Sequence, residues 1–356
     1  MSDKKKILFL VPYPLHLAPS QRFRVENFLH LFPAHLLEYT VQPFLDEHTY
    51  QIIYKKGNTT AKLFAVLKGF ARRFAALLSL SSYNYVFVHR EAAPLGPPVF
   101  EWIIAKLFRK KIIYDFDDAI WIADDGNAIS KLFKATWKVR VICSLAYKVA
   151  GGNEYLCNYA KQYNSNVVLL PTSVDIQNQH NQIKDQQVQR VVIGWTGSHS
   201  TLKYLQPIIS VLQKLVSTLN VEFIVICNKR PDFEVQGLTF IPWNERTEID
   251  DLLQMNIGIM PLQEDAWSEG KCGFKIIQYL ALGIPAVASP VGVNKKIIEP
   301  NRNGFLCTSE KEWEDALTFL ISNANERTRM GANGRRKIVE QYSVQANEET
   351  FFSLFE

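Results

Sequence analysis

The chain has 356 residues, 47% of them hydrophobic, with 17 Gly and 16 Pro. That is enough for two domains of ordinary size with real cores, and it excludes a disordered or fibrous protein. The net charge of +5 is unevenly spread: residues 1–172 hold 22 Lys and Arg against 13 Asp and Glu, the remainder 18 against 22, an asymmetry that hints at partners.

The first apolar run, Ile7-Leu-Phe-Leu-Val11, is too short for a signal-peptide core, and Pro12 stops it; it reads as a first strand. Strands are predicted at Ile7–Val11, Tyr39–Phe44, Tyr85–His89, Lys111–Asp115, Lys148–Ala150 and Val167–Leu170, with helices near 21–32, 60–80, 97–109, 130–146 and 153–163. This alternation is the pattern of a doubly wound, mostly parallel sheet. Pro171-Thr-Ser-Val-Asp175 opens a Gln- and Asn-rich stretch that reads as a linker. The alternation restarts with strands Val191–Trp195, Glu222–Cys227, Leu238–Ile241, Ile257–Met260 and Ala286–Ser289. Pro207 is expected in the first turn of the intervening helix or at a kink in it. A helix over 311–322 and a basic amphipathic segment over 327–341 precede an aromatic tail. The fold class is therefore α/β, with two tandem Rossmann-like domains facing a central cleft. The absence of G-x-G-x-x-G and of a P-loop argues against a dinucleotide oxidoreductase or a P-loop NTPase.

Five scattered cysteines, without a C-x-x-C pair, argue for a reducing compartment and against structural zinc. No apolar stretch reaches about 18 residues, so no transmembrane helix is expected and the expected location is cytosolic. Two helical segments are basic: Lys62, Lys68, Arg72 and Arg73 in one, Lys131, Lys134, Lys138 and Arg140 in the other. Either they pack with solvated lysines or they lie on an anionic membrane surface. No nucleic-acid reader motif is present, and no nucleic-acid partner is expected.

Candidate chemistry sits at strand ends. Arg22 and Arg24 near a helix start are candidate contacts for an acceptor phosphate, or surface arginines. His89 follows the third strand. Asp115, Asp117 and Asp118 follow the fourth, with Asp124 and Asp125 behind them. Carboxylates this close repel one another unless hydroxyls, a base or a metal join them. They read as a solvated turn, as sugar-hydroxyl ligands or, with least support, as a metal site. Gly194-Trp-Thr-Gly197-Ser198-His-Ser200-Thr201-Leu-Lys203 is a glycine turn after a strand, fit either to cradle a phosphate or to cap a helix. Glu269-Gly-Lys271-Cys-Gly273-Phe-Lys275-Ile-Ile-Gln278 to Ser289 reads as loop, short helix and buried strand, with Lys271, Lys275 and Gln278 on one polar face. Two lysines in a first helical turn oppose the helix dipole by roughly 0.3–1 kcal/mol each, a sign that a bound anion reverses. A diphosphate is the natural ligand common to both turns.

Lys271-Cys-Gly-Phe-Lys275-Ile-Ile-Gln278-Tyr-Leu-Ala-Leu-Gly283-Ile-Pro285, continuing to Asn294, with Asn303-Gly304-Phe beyond, resembles the donor-site block of group 1 (family 4) glycosyltransferases. The resemblance extends over nearly the whole chain. It implies the GT-B fold, with an acceptor-side domain over 1–172, a nucleotide-sugar donor domain over 173–339, and a C-terminal helix over 340–356 that crosses back. It implies a retaining, metal-independent hexosyltransferase without a cofactor. The donor is a nucleoside-diphosphate sugar and the acceptor a glycan or lipid-linked saccharide in surface polysaccharide synthesis; the enzyme is cytoplasmic or peripheral on the membrane. Gly197, Ser198, Lys203, Lys271, Lys275 and Gln278 become donor-binding candidates and Asp117 and Asp118 catalytic ones, with Arg22, Arg24, His89 and Asp115 on the acceptor side. Two departures stand out. Gln278 replaces the second Glu of the family's Glu-x7-Glu pair, and Asp117 replaces a sugar-contacting His. A nucleotide-sugar epimerase or phosphorylase on the same fold, or a non-catalytic partner protein, are the alternatives.

Overall fold

The computed structural model describes residues 4–33, 35–53, 57–122 and 135–356. Asp124, Asp125, Lys131 and Lys134 lie outside these residues. The chain divides into two units, Met1–Pro171 with Glu348–Glu356, and Thr172–Asn347.

Unit 1 holds β1 (Lys5–Val11), β2 (Leu37–Pro43), β3 (Tyr85–His89), β4 (Lys111–Phe116), β5 (Lys148–Gly151) and β6 (Val167–Leu169). The strand order is β2-β1-β3-β4-β5-β6, and every pairing is parallel. Ile7 to Val11 and Tyr85 to Val88 are buried throughout. A parallel strand covered on both faces needs such a continuous apolar run, not an alternating one. Unit 2 holds β7 (Val191–Gly197), β8 (Val221–Cys227), β9 (Leu238–Pro242), β10 (Ile257–Met260), β11 (Ala286–Ala288) and β12 (Gly304–Leu306), in the order β12-β11-β10-β7-β8-β9. Each sheet reverses its winding once, at β1/β3 and at β7/β10. Ligands of such sheets bind beyond the carboxyl ends of the strands at that reversal.

Several features differ from expectation. The strand β12 and the helix Glu47–Ile53 were not predicted; three residues are too few to show a period. Pro207 neither kinks an α-helix nor opens one. It lies inside a 3-10 helix, His199–Ile208, one residue before its end, and the α-helix Ile209–Thr218 begins beyond it. The return to unit 1 begins at Glu348 rather than 340, because Ser343 is bridged to Val174 and Val344 is buried within unit 2. In unit 2 the helix Ala324–Gln341 lies on the Gly283 turn so closely that a Cβ at Gly331 would stand 2.0 Å from the Gly283 carbonyl oxygen.

The C-terminal residues close the core of unit 1. Phe351 stacks on Phe28 at 4.3 Å and 2°, while Phe355 meets Phe9 and Tyr85 edge-on. Phe351→Ala should destabilise unit 1 by about 3–5 kcal/mol, read from denaturant unfolding; an unfolding free energy within about 1 kcal/mol of wild type would show that the tail is dispensable.

Buried arginines hold the strand ends. Arg73 donates to the carbonyls of Val11, Gln42 and Ala92 at 2.6–2.8 Å, fixing the ends of β1 and β2 and the loop after β3. Burial pushes its guanidinium down to about 9 despite Glu101. In unit 2, Arg327 donates to Leu320 and Ile321, carbonyls of the last turn of Glu310–Ser322 that have no intrahelical partner.

Candidate active site

In unit 2 the helix Phe274–Ala281 starts at Gly273, whose φ of 68° is left-handed and so suits glycine. Lys275 is in its first turn. The Lys275 ammonium lies 5.4 Å from the centre of the Trp195 ring, and its Cε is 2.8 Å from where a Cβ at Gly197 would be. Lys275 and Gly197 are therefore brought together at the carboxyl end of β7, beside the sheet's reversal. Tyr279 fixes this relation. Its ring packs on Gly258 of β10, and its hydroxyl accepts from the Thr196 N–H at 3.0 Å and donates to the Ile259 carbonyl at 3.4 Å. Burial raises the Tyr279 hydroxyl above its ordinary value, so it remains a donor.

Other predicted donor residues are placed differently. Lys271 is not in the helix; it lies in the connection after Ala266–Glu269, its ammonium 5.2 Å from the Trp267 ring centre. Lys203 is exposed in the second turn of the 3-10 helix, over Tyr204. Ser198 holds the cap position without a side-chain cap bond; its hydroxyl pairs with Ser200 at 2.9 Å. Gln278 is not on a polar surface with the lysines but 1% exposed. Its Nε2 makes no hydrogen bond within the protein, and neither do the buried Asn294 Oδ1 and Ser268 Oγ. Such groups each cost about 1–3 kcal/mol when left unpaired. Glu269 accepts from the Gly292 N–H at 3.3 Å. Sequence reasoning placed Asn294 within the donor-like block without a role and missed Ser268, since nothing marks a lone polar residue as buried. It also missed Lys229, 3.4 Å from the His199 ring; a basic pair directly after β8 was the available signal.

In unit 1 the site lies around the ends of β1, β3 and β4. The chain after β1 turns at Pro19 into a helix whose segment Arg22–Glu26 is π-helical, a geometry common at functional sites. Arg24 is fully buried and donates to both Asp115 oxygens and to the Leu170 carbonyl. This corrects its reading as a surface arginine or an acceptor-phosphate contact: the guanidinium is committed inside the protein. Arg22 is also buried, against the Phe23 ring. His89 Nδ1 is 2.7 Å from Asp115 Oδ2, and Nε2 is 2.8 Å from Ser20 Oγ.

Asp117 and Asp118 both receive Arg90, at 2.8 and 2.7 Å. Arg90 has a φ of 60° and donates its N–H to the Asp115 carbonyl. The three neighbouring carboxylates are thus held by arginines, and no metal-holding group of three or more His, Cys, Asp or Glu exists among the described residues. Burial would raise the Asp117 carboxyl, but Arg90, then His89, outweigh it and hold it well below the ordinary range. Burial lowers Arg90, and its two carboxylates more than reverse this. Asp117 can therefore accept hydrogen bonds from neutral hydroxyls.

The family described as "Glycosyl transferases group 1" matches residues 234–337, which contain the helix bearing Lys275. That segment is a group 1 glycosyltransferase domain. The two sheets give the chain the GT-B fold. Sucrose-phosphate synthase from Thermosynechococcus elongatus is similar over 99% of this chain and 98% of its own, with a TM-score of 0.71 and 13% identity. Anabaena HepE in complex with UDP and glucose is similar over 98% and 99%, at 0.69 and 14%. Spore coat protein SA of Bacillus subtilis (strain 168) is 28% identical over 80 residues, 22% of this chain and 21% of that protein. The chain thus aligns with about a fifth of that curated relative's length.

Proposed function

We propose that the protein is a retaining, metal-independent glycosyltransferase that moves a hexose from a nucleoside-diphosphate sugar to a glycan or lipid-linked acceptor in surface polysaccharide synthesis. The observation that carries this reading is Lys275, placed at the positive end of its helix and against Gly197 at the carboxyl end of β7. A departing diphosphate gains negative charge as the glycosidic bond breaks. A preorganised ammonium at a helix N-terminus stabilises that charge more in the transition state than in the ground state. Lys203 and Lys271 extend the cationic environment in this reading.

A ribose diol complements the buried groups: one hydroxyl oxygen accepts from Gln278 Nε2, and a hydroxyl proton goes to Asn294 Oδ1. This supports a working donor site despite the Gln in place of Glu, because a site that had lost its ligand would keep these unpaired groups at a cost with nothing to offset it. On unit 1, the hydrogen-bond-accepting edges of Asp117 and Asp118 suit sugar hydroxyls. Retention follows the family resemblance and implies front-face attack, without a protein nucleophile.

We also place the protein at a membrane surface. The helix Thr59–Ser79 turns Leu63, Phe64, Leu67, Phe74 and Leu78 outward, with Leu78 87% exposed. Exposed Lys68 lies on the same helix. An outward apolar stripe beside a cation fits an anionic lipid interface. Among the described residues no helix is long and apolar enough to cross a membrane.

The test is product analysis with a panel of nucleoside-diphosphate sugars, with and without a lipid-linked acceptor extract. Transfer with the anomeric configuration kept supports the proposal. Conversion of the sugar with donor alone would identify an epimerase instead.

A further inference from the structure

Four cations of unit 1 gather at the end of its sheet that has no part in the site described above. Lys5 opens β1, Tyr85 opens β3 and Lys111 opens β4. The parallel register pairs Ile7 with Tyr85 and Tyr85 with Lys111, so these amino ends lie side by side. Asp117 stands past the other end of β4, about 20 Å away at the rise of an extended strand. Around the amino ends is a cleft of about 360 Å³, lined by Lys5, Arg109, Lys110 and Lys111 and by Ser81 and Asn84. That volume lies within the range of small-molecule sites. No described Asp or Glu lines it, and none of the four cations has a carboxylate partner among the described residues. The next residue of β1, Lys6, shows the ordinary arrangement, paired with Glu38 at 3.4 Å.

Two of the four are held by neutral carbonyls instead. Lys110 Nζ donates to the Tyr83 carbonyl at 2.7 Å and to that of Ser81 at 3.2 Å, and Lys5 Nζ donates to the Phe355 carbonyl at 3.0 Å. A carbonyl fixes an ammonium without cancelling its charge. The Lys111 ammonium lies 4.1 Å from the Tyr147 ring centre and 5.4 Å from that of Tyr85, and Lys5 lies 5.8 Å from the same Tyr85 centre. Arg109 takes a left-handed φ of 53°, so the turn keeps a charged side chain where glycine would carry no steric cost. Like charges lining one cleft repel each other and focus a positive field, and an anion seated among them turns that repulsion into attraction. Neutral donors complete the lining. Asn84 Oδ1 accepts from the Lys6 N–H at 2.7 Å, which leaves the amide nitrogen of Asn84 as a donor, and Ser81 adds a hydroxyl. Ammoniums, a guanidinium fork and neutral donors from three segments suit a tetrahedral anion with several oxygens better than a carboxylate, whose two oxygens lie in one plane. The cleft also borders apolar surface. Leu107 and Phe108 directly precede Arg109, Leu78 comes shortly before Ser81, and all three are exposed.

We propose that this cleft is a second anion site, which takes a phosphoryl group borne either on an anionic lipid headgroup, as its apolar border suits, or on a soluble phosphate ester. The lipid source rests on the membrane placement proposed above. The anion site itself belongs to unit 1 and rests neither on that placement nor on nucleotide-sugar binding in unit 2.

The site is tested in the full chain with inorganic phosphate, followed by NMR at the backbone amides of Ser81 and Asn84. Co-sedimentation with vesicles of phosphatidylcholine, alone or mixed with phosphatidylglycerol, identifies the source. Arg109→Gln/Lys111→Gln removes two exposed cations from the cleft; Lys161→Gln/Arg336→Gln removes as much exposed charge elsewhere; Lys275→Ala removes a cation from the donor site proposed in unit 2. Phosphate should shift both amides saturably in wild type, in the charge control and in Lys275→Ala, and should not do so in the cleft variant. Arg109→Lys, which keeps the charge, should retain the response. If the phosphoryl group is lipid-borne, the cleft variant alone should lose about tenfold or more in affinity for phosphatidylglycerol vesicles; if it is soluble, all variants should bind those vesicles alike. Amide shifts that persist in the cleft variant, vanish in Lys275→Ala or fall equally in the charge control would overturn the site, as would no response to phosphate. Amide shifts in a chain that transfers no sugar would leave the site standing and sink the transferase reading.

Discussion

Lys275→Ala is expected to lower turnover of the nucleotide sugar by about 10²–10³-fold, the range seen when one preorganised charge-stabilising group is removed from a transition state. The fold should hardly notice. The side chain is half-buried and lies along the Trp195 ring, so its loss should change stability by about 1 kcal/mol or less. Lys275→Arg should recover part of the rate, because the charge remains while the planar fork is wider than the slot beside Gly197. Steady-state rates beside a denaturation curve separate the two effects. Near-normal turnover in Lys275→Ala would remove the lysine from the mechanism.

Arg24→Met is expected to act in the opposite way, through the fold. Asp115 would keep its burial and lose its cation, and the Leu170 carbonyl would lose a donor. Removing one partner of a buried ion pair costs about 3–5 kcal/mol. The cost should fall on unit 1, since Arg24, Asp115 and Leu170 all belong to it. Calorimetry should show unit 1 melting earlier with unit 2 unmoved. Adding Asp115→Asn should recover a large part of the loss by removing the stranded charge. A single-variant loss below 1 kcal/mol would mean that the pair contributes nothing to stability.

The architecture was largely legible because parallel strands covered on both faces are written as unbroken apolar runs. Tyr85–His89 and Ile257–Met260 were located to the residue. Legibility failed where an element is shorter than its own period, as at Gly304–Leu306, or where a proline marks the end of one helical type and the start of another, as at Pro207. At the site, spacing along a helix gave candidate faces but not burial. Lys271, Lys275 and Gln278 share a helical spacing, yet Gln278 is inside and Lys271 precedes the helix. In unit 1, Arg24 reads as surface charge until its partner, 91 positions later in the chain, is known. Arg90 carries no local signal; its role exists only once β3 and β4 lie side by side.

The most direct measurement of the central claim is calorimetric titration of the full chain with nucleoside mono- and diphosphates, repeated on Lys275→Ala. The account predicts that at least one diphosphate binds, that its monophosphate binds more weakly, and that Lys275→Ala loses about tenfold or more for the diphosphate alone. If no diphosphate binds, or if Lys275→Ala binds it as well as wild type does, the donor site described above is contradicted.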